Sequence, residues 1–127
     1  MKLALKDSLL FTAVTVSYQG KSIEVQDILV DTGSATTVLA VDSVAAIGIS
    51  PLLEDTLYTI RGVGGAEVVF TRQVDYLQVD QQKVENLEIE VGGMDYGFPI
   101  NGILGLDFLL TARAIINLSQ LQISFDA

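Results

Sequence analysis

A carboxylate stands where an apolar segment should end. Ile28-Leu29-Val30 runs directly into Asp31-Thr32-Gly33, so Asp31 falls where a buried strand gives way to a tight turn. A carboxyl group in such a position needs a partner or an altered pKa. Asp and Gly are also common turn residues, and taken alone the triplet reads first as a structural turn.

Two further segments bear on chemistry. Arg61-Gly62-Val63-Gly64-Gly65-Ala66 carries three glycines within four positions between β-rich stretches, which suits a hairpin tip whose backbone N–H groups approach a ligand. A phosphate-cradling loop would need a following Lys-Ser or Lys-Thr and a helix, and neither is indicated here. The third is Phe98-Pro99-Ile100-Asn101-Gly102-Ile103-Leu104-Gly105, leading into Leu106-Asp107-Phe108-Leu109-Leu110. Its apolar residues can fill a core and also wall a pocket.

Composition narrows the chemistry. The 127 residues include no His and no Cys, which excludes Ser-His-Asp and Cys-His nucleophile systems, thiolate zinc sites and disulfides within the chain. Hydrolysis would have to use carboxylates, hydroxyls or lysines. Net charge is -9, with seven scattered Lys and Arg, and the pI is ≈ 4.1; nucleic acid is not an expected partner. The run Leu9–Val16 is too short and too polar to span a membrane, and no signal-peptide pattern precedes it. The expectation is a soluble, cytoplasmic protein with no membrane partner.

These segments must be positioned by strands. Stretches rich in Val, Ile, Thr and Tyr, cut by Gly, Asn or Asp, predict strands over Leu9–Tyr18 and Ile23–Val30, with a hairpin turn at Gln19-Gly20-Lys21. Further strands are expected at Thr36–Ala40, Leu57–Arg61, Ala66–Val79, Lys83–Val91, Ala114–Leu118 and Leu121–Phe125. Asp42 is expected to cap a short helix that Gly48 ends, and Gly105–Leu110 to form a second. The length and the lack of any linker predict one domain over residues 1–127. An apolar fraction of 50% leaves a surplus that a subunit interface would use.

The three segments, in this order, resemble the retropepsins, the retroviral-type aspartic proteases, in their single-domain cellular or bacterial form. Leu29-Val30-Asp31-Thr32-Gly33-Ser34, continuing to Thr37-Val38-Leu39, is similar to the family's active-site strand and loop. Gly62-Val63-Gly64-Gly65 resembles the flap tip. Pro99-Ile100-Asn101 and Ile103-Leu104-Gly105 resemble the substrate-wall loop and the apolar-apolar-Gly motif, with Gly102 as a one-residue insertion. The resemblance covers roughly Leu9 to Phe125. It implies an all-β fold, a small closed barrel with one or two short helices, working as a two-fold homodimer.

The activity implied is that of an aspartic endopeptidase. Asp31, Thr32 and Gly33 would form half of a catalytic site, and Asp31 of a second copy would complete the dyad that activates water. Val30, Gly62, Val63, Gly64, Gly65, Pro99, Ile100 and Ile103 would bind an extended peptide or protein substrate, in apolar pockets. No metal and no cofactor is implied. The chain departs from the viral pattern at Ala35 and Thr36, where viral enzymes carry two acidic residues, and at Leu106, where they carry arginine. Leu106-Asp107 is similar instead to the retropepsin-like domains of ubiquitin-shuttle and bacterial proteins. The alternative is a catalytically weak or inactive module that keeps the fold for dimerisation or peptide binding.

Overall fold

The computed structural model describes residues 1–62, 65–94 and 99–126. β1 (Ala4–Lys6), β2 (Leu9–Tyr18) and β3 (Lys21–Val30) are successive antiparallel neighbours. β4 (Val38–Ala40) leads into α1 (Val41–Val44) and a 3-10 turn over Ala45–Ile47 that stops at Gly48. β5 (Tyr58–Gly62) and β6 (Gly65–Gln73) form a hairpin, followed by β7 (Tyr76–Val79), β8 (Gln82–Glu85), β9 (Glu88–Gly92) and β10 (Gly102–Leu104). After α2 (Leu106–Thr111), the hairpin of β11 (Ala114–Asn117) and β12 (Gln122–Phe125) forms its own two-stranded sheet.

The main sheet runs β5-β6-β9-β4-β10-β3-β2-β7-β8, with β1 added on β2. It is mixed and mostly antiparallel, with parallel pairs β3–β10 and β4–β9 in its middle. The expected closed all-β barrel is therefore corrected: the sheet ends on β5 and β8, and it is not closed on itself. Closure requires the edge strands to pair. β8 instead presents exposed Lys83 and Glu85, a charged edge that resists further pairing. β2 divides its second edge between β1, over Leu9–Phe11, and β7, over Thr15–Ser17.

Local expectations shift for identifiable reasons. The strand expected over Ala66–Val79 breaks at Val74-Asp75, because the Asp75 carboxylate turns to the β2–β3 hairpin and accepts the Gly20 N–H at 3.0 Å and the Ser17 hydroxyl at 3.1 Å. The Gly20 N–H is the main cause holding the Asp75 carboxyl below its ordinary pKa. The strand expected over Lys83–Val91 breaks near Asn86, which takes φ 56°. Asp42 lies in the first turn of α1 rather than capping it; Ala40 stands at the cap without a side-chain bond. Among the described residues no helix is long and apolar enough to cross a membrane.

The two faces of the sheet are filled differently. Ile28, Leu39, Phe70, Val91 and Leu104 belong to the main core, with Phe108 and Leu109 of α2 packed into the same cluster. Phe108 meets Phe125 of β12 edge to face, ring centres 6.4 Å apart, an arrangement favoured by the ring quadrupoles. The opposite face carries Phe11, Leu29, Ile103 and Val38, which follow one another across β2, β3, β10 and β4 in register.

The β5–β6 hairpin is tied down at its base by Arg72. Its guanidinium grips Asp55 through two bonds of 2.8 and 2.9 Å and donates to Ser50 O at 2.8 Å. Both side chains are shielded, 12% and 11% exposed, so solvent screens this pair less than an ordinary surface one. The Arg72 hydrogen bonds, helped by the Leu52 N–H, lower the Asp55 pKa from 3.8 to about 2. A folded-state pKa below the unfolded one stabilises the fold above the ordinary carboxylate range, and that contribution is lost as pH falls towards about 2. Urea titrations from pH 5 to pH 2 should show wild-type stability falling more steeply than that of Asp55→Asn. Parallel curves for the two proteins would remove this role from the pair.

Candidate active site

β10 is wedged between β3 and β4, parallel to the first and antiparallel to the second. The wedge tolerates no side chain at its start, since a Cβ on Gly102 would meet Val38 O at 2.7 Å and Ile28 Cδ1 at 2.9 Å. Gly102 is the first residue of β10, and the close approach of both neighbouring strands requires glycine there. The fit at the other end is tighter. A Cβ on Gly105 would lie 2.4 Å from Thr36 O and 2.9 Å from Ser34 O, so the loop of residues 31–37 rests directly on the Gly105 backbone.

A bulge in β3 aims this arrangement. The β2–β3 register shifts between Thr12 and Val14, opposite Asp27, which takes φ 59°. The redirected carbonyls are used: Asp27 O accepts the Asn101 N–H and Gln26 O accepts the Asn101 Nδ2, both at 2.9 Å. Asn101 O in turn accepts the Ala40 N–H at 2.9 Å. The bulge re-aims a strand and gives its unpaired groups a partner.

Loop 31–37 is then held by backbone bonds on both flanks. The Asp31 N–H donates to Leu104 O at 3.0 Å, while Leu106 N–H and Asp107 N–H donate to Ser34 O and Ala35 O at 2.8 and 3.2 Å. Inside the loop, Gly33 N–H donates to Asp31 Oδ1 at 2.9 Å, and the Ser34 hydroxyl donates to Thr36 O at 2.7 Å. Asp31 is half-buried, and Thr32 and Gly33 are exposed.

The strongest fastening comes from Asp107, in the first turn of α2. Its Oδ2 accepts the Thr37 N–H at 2.9 Å, and its Oδ1 accepts both the Thr37 hydroxyl and the Phe108 N–H at 2.7 Å. Thr37 is fully buried, and its hydroxyl also accepts the Gly105 N–H at 3.1 Å. Hydrogen bonds to an ionised acceptor are about twice as strong as neutral ones, and an acidic residue in the first turn suits the helix dipole. Loop, β10 and α2 are joined through this one carboxylate.

Strand register sorts the site residues expected from sequence. Leu29, Ile103 and Val38 share one face, and Leu29 and Ile103 are half-buried there. Val30 is registered with Leu104 and packs against the main core on the other face. Ile100 is buried and Pro99 exposed. Gly62 and Gly65 form the last registered pair of the β5–β6 hairpin, which is separated from β3 in the sheet by β9, β4 and β10. Val63 and Gly64 lie outside the described residues.

Three contributors were not singled out as site residues from sequence. Leu29 would have emerged from strand alternation, since it shares its parity with Asp31 while Val30 does not. Thr37 and Asp107 carry no such signal, because a buried Thr and a helix-start Asp read as ordinary structure. No three His, Cys, Asp or Glu come together as a metal-holding group among the described residues.

Comparison with known families finds that residues 14–108 match the model described as Aspartyl protease. No match is found among curated proteins. The matched span begins in β2 and ends at Phe108, in α2, so it takes in the Asp31 loop, the β5–β6 hairpin and the β10 wedge.

Replacing Asp107 by Ala strands the buried Thr37 hydroxyl and N–H. Chemical denaturation of Asp107→Ala should show a loss of about 2–3 kcal/mol, with a smaller loss for Asp107→Asn, which keeps one acceptor oxygen. A loss below about 0.5 kcal/mol for the alanine variant, as for an ordinary surface substitution, would contradict the fastening role.

Proposed function

The chain belongs to the aspartyl protease family, and on that premise we propose that it is an aspartic endopeptidase acting as a two-fold homodimer. The observation that carries this reading is Asp31 itself. Asp31, a half-buried residue, follows directly on β3, one of its oxygens is held by the Gly33 N–H, and Leu29, two residues before it, is registered with Ile103. One chain supplies one such group, and aspartic hydrolysis uses two. Asp31 of a second copy is the complement.

Two carboxylates about 3 Å apart cannot both stay ionised, so they share one proton. The ionised Asp31 takes a proton from a bound water as its oxygen attacks the scissile carbonyl carbon. The protonated Asp31 gives its proton to the carbonyl oxygen, forming a tetrahedral diol. Collapse of the diol breaks the C–N bond: the proton held by the first Asp31 passes to the leaving nitrogen, and one diol hydroxyl returns its proton to the second Asp31 as the new carboxyl group forms, which restores the dyad.

The remaining residues orient the peptide. An extended substrate adds as a strand, with main-chain bonds giving affinity and side-chain pockets giving specificity. Leu29 and Ile103, with Pro99 and Ile100 nearby in the chain, would favour apolar residues at the cleaved bond, and Val30 supports that floor from the core side. Gly62, Val63, Gly64 and Gly65 would close over the peptide as a flap. Thr32 and Gly33, both exposed, face the second copy and the substrate backbone. The cytoplasm is the compartment proposed for this activity, on the absence of any cysteine.

Peptide-library cleavage from acidic to neutral pH tests the reading. Asp31→Asn should lower kcat/KM by at least ~100-fold, the scale of losing a general acid or base. Equal cleavage by both proteins would end the protease reading. Peptide binding without cleavage by either would favour the binding module.

A further inference from the structure

The face that carries Leu29, Ile103 and Val38 does not stay apolar. The next registered residue along it is Glu90 of β9, followed by Thr71 of β6. Glu90 is tied to the Asp31 loop at two points: its Oε1 accepts the Thr36 hydroxyl, and its N–H donates to Thr37 O at 2.9 Å. Glu90 as a residue is half-buried, and its bond with Thr36 lies at the solvent-exposed end of the loop. Ala35 and Thr36 bring no charge of their own to the end of the loop.

A carboxylate offers about four acceptor positions, and a hydroxyl donor does not neutralise its charge. Set at the rim of the apolar row, it attracts a cation or a strong donor to that end of the face. Arg72, adjacent in sequence to Thr71, is registered with Ile89 on the other face and is committed to Asp55. The net charge of -9 adds attraction for cationic peptides and repulsion of acidic ones at longer range.

We infer that Glu90 is a specificity-determining residue, selecting peptides that place Lys or Arg close to an apolar residue seated on the Leu29–Ile103 floor. The inference rests on the peptide-binding reading of the Asp31 site. It fixes the substrate class as extended, locally basic peptides. Thr36 positions the Glu90 carboxylate by its hydroxyl, so the selectivity is built from β9 and the loop together.

The test uses the inactive Asp31→Asn protein and peptides identical except for Lys or norleucine, scanned along the sequence, with binding read by fluorescence anisotropy. One position should favour Lys by about tenfold or more, the scale of a hydrogen bond to a charged group. Glu90→Gln keeps an acceptor for Thr36 and should erase that ratio, and Glu90→Lys should turn the preference towards a Glu-containing peptide. Absence of any Lys preference, or a preference that survives in Glu90→Gln, overturns the inference. Wild-type cleavage of the same peptides is measured in parallel. A Glu90-dependent preference without wild-type cleavage leaves this inference standing and ends the protease reading; failure of every peptide to bind ends both.

Discussion

The seat of the Asp31 loop rests most heavily on the bond network between Asp107 and Thr37. A buried threonine N–H and hydroxyl, denied water, have one charged acceptor that satisfies both, and the same hydroxyl takes the Gly105 N–H. The loop therefore cannot lift from α2 without leaving buried polar groups unpaired, at a cost of about 1–3 kcal/mol each. Glycine at position 105 lets the loop carbonyls approach that backbone in the first place. A catalytic carboxylate must be held to within a fraction of an ångström of its working position, and here the holding is done several residues away from it.

The sheet divides the labour between its faces. One face, with Ile28, Leu39, Val91 and Leu104, is sealed by the main core and gives the site its rigidity. The other, with Leu29, Ile103 and Val38 in one registered row, remains partly open and is where a peptide would lie. Period-two alternation means that neighbouring residues serve opposite ends: Val30 anchors and Leu29 presents. The parallel insertion of β10 makes this work, because it brings the loop of residues 31–37 and Gly105 together from two separate stretches of chain.

Much of this was legible from residue order. The Asp31 triplet, the glycine-rich hairpin and the Ile103-Leu104-Gly105 run were each recognisable, and most strands fell close to where β-rich stretches between turn residues placed them. Non-local pairing was not legible. Barrel closure depends on whether β5 and β8 meet, and nothing in either segment encodes that except the charges on Lys83 and Glu85. The bulge at Asp27 was hidden because a single left-handed residue leaves the apolar pattern almost intact. Breaks at Asp75 and Asn86 were missed for a related reason: each is one polar residue in a β-rich run, and its turn is stabilised by partners distant in sequence. Asp107 stood in the sequence only as the neighbour of the departure at Leu106, although it organises the helix and loop.

The central claim is that two copies of Asp31 form one active centre. It is tested most directly by unfolding and refolding wild type together with Asp31→Asn at constant total protein, over a series of mixing ratios, and measuring peptide cleavage. If each centre needs an Asp31 from both copies, random pairing makes activity fall as the square of the wild-type fraction. A linear fall, each wild-type chain keeping its activity whatever its partner, would contradict the account.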